Sequence, residues 1–158
     1  MSNARWISCA DTAKLVRAEL KKTFPKIKFT VRSSTYSMGA SISVGWTDGP
    51  TENDVQAVVG KFSGSTFDGM IDLKSYHDSD LNGEKVHFGA DAVMCSRSHS
   101  AELLRRRAAR VAEKYGVELV EVKETKWGGV ELVGGWERLG NYTVADKIYQ
   151  EARKTRVV

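Results

Sequence analysis

The chain has 158 residues, 41% hydrophobic and 28% charged, with 24 Lys+Arg against 20 Asp+Glu and a net charge of +4. That length suits a single domain, and the near-average hydrophobic content excludes a disordered tail or a low-complexity filament. No run approaches the ~20 apolar residues of a membrane span, no secretory leader is visible near Met1, and two cysteines cannot build a disulfide framework, so a cytoplasmic, membrane-free protein is expected.

Asp11 suits a helix N-cap, and Ala13, Val16, Leu20 and Phe24 follow at helical spacing, which predicts a helix over 11–24 closed by Pro25. Ile27, Phe29 and Val31 alternate with polar residues as a half-buried strand. A polar loop, 33–39, leads to a second alternating run at Ile42, Val44 and Trp46, so the pair reads as a β-hairpin. Thr47-Asp48-Gly49-Pro50 punctuates the chain. A capping-box-like Thr51-Glu52-Asn53-Asp54 then opens a helix over 52–62 with its stripe at Val55, Val58, Val59 and Phe62. Phe67-Asp68-Gly69 reads as a turn, 70–76 as a strand, 77–85 as an exposed connection, and 86–97 as a returning strand with Gly89 as a candidate bulge. Ser98 or Ser100 caps a helix over 100–115 with Leu104, Ala108, Val111 and Tyr115 inward and Gly116 as its stop. Strands at Val117–Val122 and Val130–Val133 follow, and Thr143 caps a last helix to about Thr155.

The expected order is α-β-β-α-β-β-α-β-β-α. Strands come in pairs rather than alternating singly with helices, which favours α+β with a largely antiparallel sheet. One domain over 1–158 is expected, with a core of about 11–97 and a C-terminal extension of 98–158. No flexible linker marks a division near residue 97.

The segments Thr12–Arg17, Phe24-Pro25, Lys28–Ser34, Val44–Thr51 and Phe67–Asp72, with Gly39 and Ser41-Ile42 between them, carry a resemblance. Over about 12–76, with Ser96-Arg97-Ser98 and Ser100 extending it, the chain resembles the large polyvalent protein-associated domain 29. That family occurs in proteins of phages and conjugative elements. The resemblance implies a mobile-element origin and an accessory role, such as protecting incoming DNA from host defences. It brings no assigned reaction, cofactor or catalytic residue.

The net charge conceals three blocks: +6 over 1–47, −6 over 48–91 and +4 over 92–158. Such blocks fold either into opposed basic and acidic faces or into mixed surface pairing. Lys14, Arg17 and Lys21 share a helix face, Arg32 lies on the next strand, and Arg106, Arg110 and Lys114 repeat at i+4 on the helix over 100–115. Ridges of this kind can neutralise phosphates, or simply solvate a helix while their stems cover core edges. The loop Arg32–Ser37 offers a cation, hydroxyls and the Tyr36 ring, groups suited to a phosphate or an unstacked base, or to satisfying its own turn. Asp48, Asp68 and Asp72 could supply oxygen ligands to a cation, yet two of them are Asp-Gly turn pairs. The histidines have no zinc-site spacing, and Cys95 lies in an apolar strand.

These residues support a non-enzymatic accessory domain that contacts DNA or RNA through its basic helices, with no cofactor or metal. The alternative is an adaptor or inhibitor of a host defence or replication protein, engaged through Tyr36, Trp46, Asp48 and Asp68. Oligomeric state is left open.

Overall fold

A computed structural model of the chain describes residues 3–157. Among them are four α-helices, one short 3-10 helix and twelve strands in small, mostly antiparallel sheets, an α+β fold. The chain divides into two compact units: residues 1–46 with 52–96, and residues 47–51 with 97–158. Each has its own core.

The first unit opens with β1 (Arg5–Ile7) and α1 (Cys9–Thr23). The cap of α1 is Ser8, whose Oγ accepts from the Asp11 amide at 3.1 Å; Asp11 is therefore in the first turn, not at the N-cap. The helix starts earlier than its stripe suggests because Cys9 is itself buried. Next come β2 (Thr30–Tyr36) and β3 (Gly39–Thr47), an antiparallel hairpin in register Thr30↔Gly45 through Tyr36↔Gly39. Ala40, Ile42, Val44 and Trp46 fill the inner face of β3, as their alternation demands. α2 (Glu52–Val59) runs into the 3-10 turn Gly60–Phe62 and buries Val55, Val59 and Phe62.

The following stretch departs most from expectation. Phe67 and Asp68 are not in a turn but in β4 (Ser65–Asp68), which pairs with β5 (Leu73–Tyr76). The turn comes later, with Asp72 at φ 49°, so the strand begins three residues after Met70. Residues 77–85 are not an open connection. They hold β6 (Ser79–Leu81) and the start of β7 (Glu84–Phe88), joined through Asn82 (φ 53°) and Gly83 (φ 82°). Two central residues with positive φ make the mirror-image turn that Asn-Gly favours. The single strand expected over 86–97 is broken. β7 pairs in parallel with β1, whereas β8 (Ala92–Ser98) joins β3 in the order β2-β3-β8. Gly89 sits at the break, where a Cβ would lie 2.8 Å from the Ile7 carbonyl oxygen.

In the second unit α3 (Ala101–Tyr115) is capped by Ser100, which accepts from Leu103 N–H at 3.2 Å, and closes on Gly116 at φ 63°. Ala101, Leu103, Leu104, Ala108 and Val111 are buried; Tyr115, expected inward, is exposed. β9 (Glu121–Glu124) and β10 (Val130–Val133) form an antiparallel hairpin, and β11 (Arg138–Leu139) and β12 (Tyr142–Thr143) a second. α4 (Val144–Lys154) begins with a full capping box between Thr143 and Asp146 and packs on α3 through Val144, Ile148 and Ala152. The element order is thus longer than the alternating pairs expected, with β1, β4 and β6 added in the first unit and β11 and β12 in the second.

Candidate nucleic-acid interface

On α3, burial of Leu104, Ala108 and Val111 turns Arg106, Arg110 and Lys114 outward, and all three are exposed. Arg106 and Arg110 have no carboxylate partner among the described residues. Lys114 Nζ lies 5.4 Å from the centre of the neighbouring Tyr115 ring. Arg105 differs: its Nη2 donates to the Val122 carbonyl at 3.3 Å, which ties it to β9. Arg106, Arg110 and Lys114 therefore form an outward row of three cations over two helical turns.

The other basic group, in the first unit, is partly committed to its own fold. Lys14 pairs with Asp11 at 3.1 Å, and this contact, with Ser8, holds the Asp11 carboxyl below its ordinary range. Arg17 donates through Nη2 to the Val31 carbonyl at 2.8 Å, joining α1 to β2. Lys21 and Arg32 are exposed.

The residues expected to meet a protein partner fall in different environments. Trp46 is 4% exposed and packs on Phe29 at 5.5 Å between ring centres; its ring belongs to the core and is not presented to a partner. Asp48 is structural: it adopts φ 55°, its N–H donates to the Ser98 carbonyl, and Oδ1 accepts from the Ser100 amide at 2.8 Å at the entry to α3. Asp68 Oδ1 accepts from the Met70 amide at 2.9 Å, the turn chemistry of an Asx residue. Of the four, Tyr36 is an exposed apolar ring, at 53%.

A family model for the large polyvalent protein associated domain 29 matches residues 7–100. The chain belongs to this family. No curated protein and no solved structure matches it. The match takes in Asp48 and Arg97, which meet in the second unit. Arg97 is 9% exposed and directs all five guanidinium N–H groups to carbonyls: Nε to Asp48 at 2.8 Å, Nη1 to Ala152 and Arg153 at 3.2 Å, Nη2 to Gly49 at 3.3 Å and Thr155 at 2.6 Å. Within the second unit the Asp48 and Gly49 carbonyls thus share Arg97 with the carbonyls at the end of α4.

Sequence reasoning missed a second group, on the first unit. Trp6 stacks on His87 with 5.1 Å between ring centres and 19° between planes, and Tyr76 lies 6.2 Å from the same imidazole. His87 Nδ1 is 3.3 Å from Asp78 Oδ1. Lys74 Nζ sits 5.1 Å from the Tyr76 ring and 2.6 Å from Asp91 Oδ2; that contact raises the lysine pKa above its ordinary value. Sequence distance hid this group, whose members lie on β1, β5, β7 and the turn before β8. Cys95 is pushed up to about 11, chiefly by burial and further by Glu52, so it is a poor nucleophile at neutral pH. No helix is long and apolar enough to cross a membrane among the described residues.

Proposed function

We propose that this polyvalent-protein domain is a non-enzymatic accessory module of a mobile element, acting inside the host cell by binding DNA or RNA. The observation that carries the reading is the row Arg106, Arg110 and Lys114, three outward cations on a helix whose opposite face is committed to the core. A helix needs no such excess for solubility, and each cation placed on a phosphate releases counterions, so affinity should fall steeply with salt. Lys14, Arg17, Lys21 and Arg32 add a second basic group in the other unit, weaker because Lys14 and Arg17 already have partners. The test is fluorescence anisotropy with labelled duplex and single-stranded oligonucleotides, comparing the wild type with Arg106→Gln/Arg110→Gln/Lys114→Gln. The reading expects weaker binding by the variant at low salt. Equal binding by both proteins would remove α3 from the interface.

A second reading, an adaptor or inhibitor of a host defence or replication protein, is favoured by the tip of the β4–β5 hairpin. Met70 is 96% exposed there and Ile71 and Leu73 are also solvent-facing. Co-purification of one defined host protein, lost on Met70→Asp/Ile71→Asp, would support it over the first.

A further inference from the structure

From the aromatic surface of the first unit, we propose that Trp6, Tyr76 and Tyr36 form a stacking platform for the bases of a single-stranded nucleic acid. The proposal rests on the nucleic-acid reading for its ligand class, but uses different residues and a different kind of contact.

Several contacts connect the platform. β1 and β7 pair in the register Trp6↔His87, so the two rings leave the sheet on one face, while Ile7, Val86 and Phe88 enter the core on the other. Tyr76 reaches His87 from the end of β5. In the β4–β5 register Phe67 stands opposite Lys74 and Ser65 opposite Tyr76, which places Phe67, Lys74 and Tyr76 on one face of that hairpin. Lys74 then leads through Asp91 to the β2–β3 hairpin, where Asp91 Oδ2 also accepts from the Ala40 amide at 3.1 Å. There Tyr36 faces Gly39 across the strands, and a Cβ on Gly39 would collide with Asp91 Oδ2 and lie 3.2 Å from the Tyr36 ring. Glycine at this place leaves room for both the carboxylate and the Tyr36 ring beside the backbone.

Trp6 is 64% exposed and Tyr76 62%, although each is held by neighbours rather than swinging free. A rigid aromatic ring with an open face loses little entropy when a second ring stacks on it. Every base has such a face, so stacking tolerates sequence. Groups able to hydrogen-bond base edges lie between the rings: the His87–Asp78 pair and the Lys74–Asp91 pair. Duplex DNA would not present base faces here. Within the group the Asp91 carboxylate offsets the charge of Lys74. Stacking should therefore dominate, and salt should matter less than on α3.

The test titrates the intact protein with a labelled oligo-dT of about 15 nucleotides and with the matching duplex. Tyr76→Ala and, to guard against loss of fold, the milder Trp6→Leu and Tyr36→Leu are measured beside the wild type, with circular dichroism on each. Expected is a roughly tenfold loss of single-strand affinity for Tyr76→Ala, smaller losses for the leucine variants, and unchanged duplex binding. Single-strand binding should also survive a rise in salt that weakens duplex binding. Folded variants that bind single strands as tightly as the wild type would overturn the proposal, as would parallel losses on single strands and duplex, or capture of a host protein through these rings without oligonucleotide binding. Loss of duplex binding in the α3 variant alone would leave the platform standing.

Discussion

Replacing Arg97 with alanine removes five hydrogen bonds in one step. Three of the acceptors, the carbonyls of Ala152, Arg153 and Thr155, belong to the C-terminal end of α4, where a helix leaves its last carbonyls without internal partners and where a positive charge is favoured. The other two belong to Asp48 and Gly49, and Gly49 also accepts from the Val157 amide. Hydrogen bonds to a charged group contribute about 1.5–3 kcal/mol each, but bonds sharing one guanidinium do not add. The measured loss for breaking a buried charged cluster, about 3–5 kcal/mol, is the better guide. Arg97→Lys keeps the charge but has three donors for five carbonyls, so an intermediate loss of about 2 kcal/mol is expected. Urea unfolding followed by circular dichroism measures both. Amide exchange should locate the loss at Thr155 and Val157, whose N–H groups bond to Ala152 and Gly49. A stability of Arg97→Ala within 1 kcal/mol of wild type, with those amides still protected, would refute the reasoning.

Trp46→Ala should cost about 3–5 kcal/mol through the cavity left beside Phe29, seen as a lower urea midpoint; a surface role for Trp46 would leave stability nearly unchanged. In the α4 capping box the Thr143 N–H holds the Asp146 carboxyl below its ordinary pKa of 3.8. Its contribution is therefore present above that value and fades as pH falls through the lowered one. Thr143→Ala should lower stability by about 1 kcal/mol at pH 7, and thermal melts of Asp146→Asn against wild type should converge as the pH drops below about 3.8.

The helices were legible because their signals are local. Ser100, Gly116 and Thr143 mark ends by their own backbone preferences, and Leu104, Ala108 and Val111 repeat within one helix. The short strands were less so. β1 has three residues, too few to show a period, and owes its existence to pairing with β7 about 80 positions away. The β6–β7 hairpin did have a local signal in Asn82-Gly83, masked by the polar residues around it. Arg97 stood out only as part of the Ser96-Arg97-Ser98 extension of the resemblance, since the carbonyls that define its role are 48–58 positions distant. The basic row on α3 was readable from i+4 spacing alone. The Trp6–His87–Tyr76 group was not, because no periodicity links residues gathered from different strands. Charge blocks along the chain are compatible with opposed faces and with mixed pairing alike; the +6 and most of the −6 segments fold into the same unit, leaving it nearly neutral.

The salt dependence of duplex binding tests the central claim most directly. Measured as log affinity against log salt concentration, the wild type should show a steep negative slope. Arg106→Gln/Arg110→Gln/Lys114→Gln should be shallower by about 2–3, close to 0.9 for each cation removed from a phosphate. Parallel lines for the two proteins, or a wild-type affinity indifferent to salt, would contradict it.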